Sequence, residues 1–368
     1  MSNRISHLQN IMRDNELHAV ALNPSPNLVY LTGLDFHLFE RPIVVIVPQD
    51  GDLIAVLPGF ESGKLSSSAS HITPFTYDDN PSSWGYAFQK AADYLDIKNP
   101  VIGLDPLHFR YLEYQFLSGA FLSAHIIPFG DQISSLRTCK DNSEIEKMEK
   151  AVSIAQLALN QLIPTIRLGQ TEREIANRLS ILLLQNGSDN DNQFTPIVAS
   201  GPNSANPHHT PGERKINKGD ALLIDWGARY QGYYSDLTRN IFLGNPPADY
   251  LQIYEAVRIG NQSGREHGRP GLPAGSIDQV TRQTIEARGY GPLFTHRTGH
   301  GLGMEEHEPI YIFSENTTPL QPGMVYTVEP GIYIPDRFGV RIEDDVVVTT
   351  DGCRSISDYS RDLIIIND

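Results

Sequence analysis

The segment 219–239 reads Gly-Asp-Ala-Leu-Leu-Ile-Asp-Trp-Gly-Ala-Arg-Tyr-Gln-Gly-Tyr-Tyr-Ser-Asp-Leu-Thr-Arg. Two strand-like runs flank a Tyr-Gln-Gly turn, which predicts a β-hairpin. Asp225 and Asp236 are equally far from the Tyr230–Gln231 bond, so we expect directly opposed cross-strand partners with β-carbons roughly 4.5–5.5 Å apart. Opposed, buried like charges are unfavourable unless a cation lies between them. The segment therefore predicts either a divalent-cation site or a solvent-facing aspartate pair on an edge hairpin.

Two more acidic residues belong to strand-like runs further along the chain. Glu329 ends one apolar run, and Glu343 lies inside another, with Arg341 on the same face by the period of two. A same-face ion pair between Arg341 and Glu343 is the alternative to a functional role. Three histidines among three glycines occupy the stretch 295–309: His296, His300 and His307. One such histidine alone would indicate a structural role. Three histidines, in a chain that also has acidic residues in apolar strand-like runs, favour a metal site.

The charges of these side chains balance two divalent ions. Asp225, Asp236, Glu329 and Glu343 supply −4 and His300 a neutral nitrogen, so one divalent cation would leave the cluster at −2. Oxygen-rich ligands with one imidazole favour Mn²⁺, with Co²⁺, Fe²⁺ or Zn²⁺ as alternatives, and argue against a cysteine-type structural zinc site. Two ions roughly 3.5–4 Å apart can share a hydroxide nucleophile and stabilise the developing oxyanion.

Composition excludes several classes of protein. The 368 residues contain 29 Lys and Arg against 44 Asp and Glu, a net charge of −15 that argues against nucleic-acid binding. The sequence has no run of 18 apolar residues and no apolar N-terminal segment, so we expect neither a membrane span nor a secretory signal. Cys139 and Cys353 form no Cys-x-x-Cys motif, which favours a reduced, cytoplasmic location.

Two domains are expected from the length and from a change of pattern near residue 135. Residues 1–135 alternate strand-like and helical runs and predict an α/β domain, whereas residues 136–368 predict an α+β domain with helices before strands. The strand-like runs of the first domain lie at 18–22, 43–47, 53–57 and 101–104. The helices of the second are expected from 141 or 142 to about 161, from 171 to about 185, and near 249–267 and 276–288.

The motifs of the second domain resemble, in order, those of the M24 "pita-bread" metallopeptidases. They are Asp-Trp-Gly-Ala at 225–228, Gly-Tyr-Tyr-Ser-Asp-Leu-Thr-Arg at 232–239, His-Arg-Thr-Gly-His-Gly-Leu-Gly at 296–303, Thr-Val-Glu-Pro-Gly-Ile-Tyr at 327–333 and Gly-Val-Arg-Ile-Glu-Asp at 339–344. The resemblance covers about residues 136–368 and is strongest to the Xaa-Pro dipeptidases (prolidases) and aminopeptidase P. It implies a pita-bread (creatinase/aminopeptidase-like) catalytic domain.

Carried over by position, the resemblance implies a set of metal ligands. Asp225 would bind one ion, His300 and Glu329 the other, and Asp236 and Glu343 would bridge both.

The resemblance also implies residues around the ions. Arg341 matches an arginine that supports the ligands, His296 an additional active-site histidine, and Tyr333 is a candidate for the substrate pocket.

His208 and His307 match substrate-side histidines near the reacting carbonyl. Relatives often have a small residue at the position of His209, so whether His208 or His209 points inward is open. A metal-bridging hydroxide would attack the carbonyl before proline, and Glu329 would carry the proton to the proline nitrogen.

The implied substrates are proline-containing dipeptides or short peptides, and the N-terminal domain of relatives mediates dimerisation, so we expect a homodimer. Alternatives are an Xaa-Pro aminopeptidase, a creatinase-like hydrolase of another small C–N substrate, and an inactive binding module. The five retained ligands argue against the last two. The sequence has no Gly-x-Ser-x-Gly motif that would indicate a serine hydrolase.

A dipeptidase must bind the free carboxylate of its proline, which arginine does best through its planar fork of donors. In dipeptidase-type relatives an arginine often stands some fourteen residues before the ligand matched by Glu329, where this chain has Glu315. Arg41, Arg297 and Arg337 are possible replacements. We favour Arg41, because the family's N-terminal loop can reach an active site; the alternative is a solvated loop charge.

Overall fold

The computed structural model describes residues 2–68, 70–190 and 195–367. The chain divides into two compact units, Met1–Arg137 and Thr138–Asp368, each with its own hydrophobic core. No helix of the described residues combines the length and apolarity needed to cross a membrane.

The N-terminal unit is built around one mixed six-stranded sheet of order β4-β3-β2-β1-β5-β6. Strand β2 pairs antiparallel with both β1 and β3, and the other three strand pairs of this sheet are parallel. Its strands are β1 Ala19–Leu22, β2 Val44–Pro48, β3 Leu53–Pro58, β4 Ile72–Tyr77, β5 Val101–Leu104 and β6 His125–Pro128. Its helices are α1 Ser2–Asp14, α2 Pro26–Thr32, α3 Pro81–Leu95, α4 Tyr111–Ala120 and α5 Gly130–Thr138, with a 3-10 helix at Gly59–Ser67. The expected α/β class is confirmed.

Local signals explain where the short helix α2 begins and ends. The Ser25 side chain accepts a hydrogen bond from the backbone N–H of Leu28, and Pro26 occupies the first turn, where its missing N–H costs nothing. Gly33 ends the helix with φ of 76°, a left-handed conformation that favours glycine. Residues 30–33, Tyr-Leu-Thr-Gly, are therefore the end of a helix, and a loop follows them.

The second unit combines four helices with thirteen strands in the described part of the chain. The helices are α6 Asn142–Leu162, α7 Glu172–Gln185, α8 Ala248–His267 and α9 Gly275–Glu286, with 3-10 turns at Ile163–Thr165, Gly201–Ala205 and Gly291–Leu293. The strands are β7 Ile197–Ser200, β8 Ala221–Trp226, β9 Arg229–Tyr230, β10 Tyr233–Tyr234, β11 Leu237–Leu243, β12 Gly299–Gly301, β13 Glu308–Ile312, β14 Val325–Val328, β15 Gly331–Ile334, β16 Phe338–Arg341, β17 Asp344–Val348, β18 Cys353–Ser355 and β19 Ile364–Ile366.

Capping explains why the first two helices begin where the sequence predicts. Asp141 with Glu144 caps α6, and Thr171 with Glu174 caps α7, each pair forming a complete capping box. The apolar faces of α6 and α7 pack against β8 and β11 in one core.

Two larger sheets carry the site. One has the order β19-β11-β8-β7 and the other β13-β12-β14-β17-β18. An isolated antiparallel bridge between Thr238 and Glu343 connects β11 to the segment between β16 and β17. Glu343 thus lies at a break between two strands, not inside one as predicted.

The hairpin at 219–239 forms, but the predicted register is wrong. Asp225 pairs with Thr238, and Tyr230 with Tyr233, so the turn is Gln231-Gly232. Both turn residues have positive φ, 48° and 85°, as a two-residue primed turn requires. Partners move by two positions, which keeps side chains on their face. Asp236 is therefore a diagonal neighbour of Asp225, not its direct partner.

Candidate metal centre

A cavity of about 590 Å³ in the second unit brings most of the sequence-predicted site residues together. Most of the residues in its wall are charged or are histidines, and Ile197 and Pro207 are apolar. The lining residues are Thr195, Ile197, Pro207, His208, Asp225, Asp236, His296, Arg297, His300, Glu306, His307, Glu329, Arg341 and Glu343.

The five expected ligands come from both larger sheets. Asp225 lies on β8, Asp236 just before β11, His300 on β12, and Glu329 directly after β14. Glu343 is tied to β11 because its carboxylate accepts a hydrogen bond of 2.7 Å from the Thr238 hydroxyl. The His300 Nε2 lies 3.7 Å from an Asp236 oxygen and 3.5 Å from a Glu329 oxygen. Ligand atoms of Asp236, His300 and Glu343 all lie within 4.8 Å of one another.

The tautomer of His300 leaves one nitrogen facing the carboxylates. Its Nδ1 is 3.0 Å from the carbonyl oxygen of Gly301, and since a carbonyl only accepts, Nδ1 carries the proton. Burial and the neighbouring His307 lower the pKa of His300 well below its ordinary value, so the ring is neutral. Nε2 therefore presents a lone pair to Asp236 and Glu329, the state in which histidine binds a metal.

The carboxylates repel one another in a buried setting. Burial raises the pKa of Asp236 and of Glu343 well above the ordinary range, and neighbouring carboxylates raise both further. Burial likewise raises the pKa of Asp225, although Arg341 opposes this, and raises the pKa of Glu329 to about 7. In their ionised form these carboxylates therefore carry more negative charge than the neighbouring Arg341 neutralises.

Arg341 connects a histidine to the carboxylates. Its Nη2 lies 2.6 Å from Asp225 and its Nη1 3.0 Å from the Tyr333 hydroxyl, which in turn is 2.8 Å from His296 Nε2. His296 Nδ1 donates to the carbonyl of Arg297 at 2.7 Å, so Nε2 accepts from Tyr333. Burial lowers the pKa of His296 to about 4, which keeps the ring neutral. Arg341 therefore forms its ion pair with Asp225. Arg341 is linked to Glu343 through the Thr238 hydroxyl, which accepts a hydrogen bond from Arg341 and donates one to Glu343.

The remaining histidines differ in what they face. His307 packs its ring on His300, with centroids 3.8 Å apart. His208 lines the cavity, whereas His209 Nε2 lies 2.8 Å from the buried carboxylate of Glu172. The structure thus turns His208, not its neighbour, towards the cavity.

Comparison with known proteins identifies the family. Residues 146–350 match the metallopeptidase family M24, and residues 4–139 match the creatinase/prolidase N-terminal domain. The chain is also 34% identical over 369 residues to the uncharacterized peptidase YqhT of Bacillus subtilis (strain 168), covering 99% of this chain and 100% of that protein. The chain belongs to metallopeptidase family M24. The fold class and the enzyme class predicted from the sequence are confirmed.

Solved structures of similar overall fold carry related names. The prolidase from Thermococcus sibiricus is 34% identical, with a TM-score of 0.93 and 99% of both chains covered. An Xaa-Pro dipeptidase from Bacillus anthracis is 31% identical, with a TM-score of 0.90 and 99% of both chains covered. An X-Pro aminopeptidase from Thermotoga maritima is 28% identical, with a TM-score of 0.83, covering 95% of this chain and 98% of that one.

Membership of an M24 metallopeptidase family implies divalent metal ions, and the residues present fit them. The Oδ1 oxygens of Asp225 and Asp236 are buried and have no hydrogen-bond partner among the described residues. A buried acceptor without a partner is costly, and a cation would satisfy both. One neutral imidazole and several carboxylate oxygens form a ligand set suited to a divalent ion.

Two glycines of the histidine motif are explained by close packing. A side chain at Gly299 would place its β-carbon 1.9 Å from the carbonyl oxygen of Thr327 on β14. A side chain at Gly303 would meet the Glu308 carboxylate at 2.6 Å. These positions hold the His300 strand against β14 and the following loop against Glu308.

Sequence reasoning missed a buried ion pair beside His307. Glu308 and Lys140 are each 2% exposed, and Lys140 Nζ lies 2.6 Å from Glu308 Oε2. The other oxygen of Glu308 accepts from the backbone N–H of Met304 at 2.8 Å. The pair thus closes the loop that carries His307. The sequence gives no sign of this ion pair, because Lys140 and Glu308 are far apart along the chain.

The arginines considered as carboxylate anchors occupy different places. Arg297 lines the cavity. Arg337 pairs with Asp249 at 2.6 Å, and Arg41, in the N-terminal unit, pairs with Asp79 at 2.6 Å and with Glu40.

Proposed function

We propose that this M24 metallopeptidase cleaves the Xaa-Pro bond of dipeptides, with two divalent ions bound by Asp225, Asp236, His300, Glu329 and Glu343. The observation that carries this proposal is the buried cluster of four carboxylates and one neutral imidazole on the wall of a 590 Å³ cavity. A cavity of this size suits a small ligand. The prolidase and Xaa-Pro dipeptidase likenesses supply the class of substrate.

When bound, the ions would activate water as the nucleophile and stabilise the negative charge that develops on the carbonyl oxygen. The protein's own residues would handle protons and position. Glu329 would take the proton from the attacking water and deliver it to the proline nitrogen as the carbon–nitrogen bond breaks. A carboxylate beside the attacking water can carry a proton from one atom to the other.

Residues around the cluster would orient the substrate. His208 and His307 line the cavity and can donate hydrogen bonds to the reacting carbonyl. Ile197 and Pro207 provide an apolar part of the wall for the proline ring. Because the Xaa-Pro amide has no N–H, this part of the site needs no acceptor for one.

The chain of Arg341, Tyr333 and His296 would position the ligands, and its two end members, Arg341 and His296, also line the cavity. Arg341 binds Asp225 directly. It also donates a hydrogen bond to the Thr238 hydroxyl, which in turn donates one to Glu343, so Arg341 helps to position both carboxylates. The neutral His296 fixes Tyr333 in this chain.

Arg297 is our proposed anchor for the proline carboxylate. Its guanidinium contacts the ring of Tyr311 at 4.4 Å, and no hydrogen bond or ion pair engages it among the described residues. Arg41 and Arg337 are already paired with carboxylates. The role predicted for Arg41 at an active site stays a prediction.

Kinetics on matched substrates test the dipeptidase assignment. Arg297→Gln should lower kcat/KM for an Xaa-Pro dipeptide by about 10- to 150-fold, equivalent to about 1.5–3 kcal/mol. It should leave kcat/KM for the Xaa-Pro amide nearly unchanged, since the amide lacks the carboxylate. Arg337→Ala and Arg41→Ala serve as controls. If Arg41→Ala alone shows the carboxylate-specific loss, Arg41 is the anchor. Equal losses on both substrates in every variant would exclude all three.

An Xaa-Pro aminopeptidase is the second candidate, favoured by the likeness to the Thermotoga maritima enzyme. Faster cleavage of Xaa-Pro-Yaa than of Xaa-Pro by the unmodified protein would select it. Mn²⁺ as the resident ion, the homodimer and the cytoplasmic location stay predictions from the sequence.

A further inference from the structure

Glu306 is a cavity residue that the proposed mechanism does not use. It lines the cavity with the ligand set, yet its carboxylate has no hydrogen bond and no ion pair with another described residue. The other acids of this loop are engaged: Glu308 binds Lys140 and Met304. A carboxylate turned into a cavity without a partner is available to a ligand.

The loop around Glu306 is held on both sides. The carbonyl of Gly303 accepts from the backbone N–H of Tyr234 at 2.8 Å, and Glu308 is held by its buried ion pair. The adjacent His307 stacks on His300. Because its neighbours are fixed, Glu306 has a defined position in the same cavity as the proposed metal ligands.

The electrostatic setting of Glu306 favours a cation. Burial raises the pKa of Glu306, and the charge of Asp225 raises it further. A half-buried carboxylate without a partner is unfavourable in its ionised form, and a cationic group of a ligand would offset that cost. Arg297 also lines the cavity, so the described part of the wall offers one unpaired group of each sign outside the ligand set.

We infer that Glu306 is a specificity residue that binds a cationic group on the Xaa residue of the substrate. This inference rests on the proposed Xaa-Pro peptidase function. Two groups share the required chemistry: the α-ammonium of the peptide and the side chain of a Lys or Arg at Xaa. Either would form a charge-assisted hydrogen bond with the carboxylate.

The test compares three substrates that differ in one positive charge each. They are norleucyl-proline, lysyl-proline, which adds a side-chain ammonium, and hexanoyl-proline, which lacks the α-ammonium. Each is measured with Mn²⁺-loaded wild type, Glu306→Gln and Glu305→Gln, as kcat/KM where it is cleaved and as an inhibition constant where it is not. Glu305 carries the same charge one position away and does not line the cavity, which makes it the matched control.

If Glu306 binds the α-ammonium, Glu306→Gln should lower kcat/KM for norleucyl-proline by about 10- to 100-fold. The kcat/KM or inhibition constant of hexanoyl-proline should not change. Binding of the side chain predicts a loss of that size for lysyl-proline relative to norleucyl-proline. Glu305→Gln should change neither ratio.

Equal effects of Glu306→Gln on all three substrates would overturn the inference. So would loss of bound metal from Glu306→Gln by elemental analysis, which would make Glu306 a ligand. If the wild type cleaves no Xaa-Pro peptide, the proposed function is wrong. If the wild type cleaves these peptides and the effect of Glu306→Gln does not depend on the charge of the substrate, only this inference is wrong.

Discussion

Replacing Lys140 by methionine should strongly destabilise the second unit, Thr138–Asp368, which is the catalytic unit. Both partners of the Lys140–Glu308 pair are 2% exposed and their charged atoms are 2.6 Å apart. At an effective dielectric constant of about 20, that separation corresponds to an attraction of about 6 kcal/mol, part of which offsets desolvation. Methionine keeps the length of the side chain but leaves Glu308 buried without its cation. We expect the free energy of unfolding to fall by about 3–5 kcal/mol, or the melting temperature by roughly 6–20 °C.

The protein provides a spectroscopic probe for each unit. Trp84 lies in the N-terminal unit and Trp226, fully buried, in the catalytic unit. In a Trp84→Phe background, urea unfolding followed by fluorescence therefore reports on the catalytic unit alone. Lys150→Met, an exposed position on the following helix α6, should change the free energy of unfolding by less than about 0.5 kcal/mol.

A double variant separates a buried charge from lost packing. Lys140→Met with Glu308→Gln removes both charges at nearly constant shape and should recover most of the loss, because no uncompensated charge remains. A loss below about 1 kcal/mol for Lys140→Met, or no recovery in the double variant, would refute the reasoning.

Two further predictions concern single side chains. Burial acts to raise the pKa of Asp278, but hydrogen bonds from Arg282, Ser314 and Thr298 hold this pKa below its usual value. The ionised Asp278 therefore stabilises the fold above the unfolded pKa of about 3.9. This stabilisation is lost as the pH falls through the pKa of the folded state. The stability difference between wild type and Asp278→Asn, measured by urea unfolding from pH 7 to pH 3, should shrink towards the acid end, and a constant difference would contradict this. His208→Ala should keep its metal but lose turnover on the order of 10²–10³-fold, with a smaller loss for His209→Ala; the reverse order would show that the wrong histidine was assigned to the cavity.

The elements governed by local signals are the ones the sequence predicts well. Asp141 and Thr171 open their helices through side-chain caps that can be read from four consecutive residues. The hairpin register failed because the turn depends on which residues take positive φ. Gln231 and Gly232 do so, and glutamine carries no strong signal for that conformation.

Side-chain direction and long-range pairing account for what was missed at the site. The Asp225–Asp236 proximity survived the register error, because a shift of two positions keeps both on one face. Glu305 and Glu306 look alike in the sequence, and only the fold turns Glu306 into the cavity. The choice among Arg41, Arg297 and Arg337 likewise required the partners that only folding reveals.

The most direct test is proline release from an Xaa-Pro dipeptide by protein stripped of metal and then titrated with Mn²⁺, with bound metal measured by elemental analysis. We predict no activity in the stripped protein and full activity on binding two ions per chain. Asp236→Asn should neither bind the ions fully nor recover activity. Full activity in verified metal-free protein, or metal-loaded protein that leaves every Xaa-Pro peptide intact, would contradict the account.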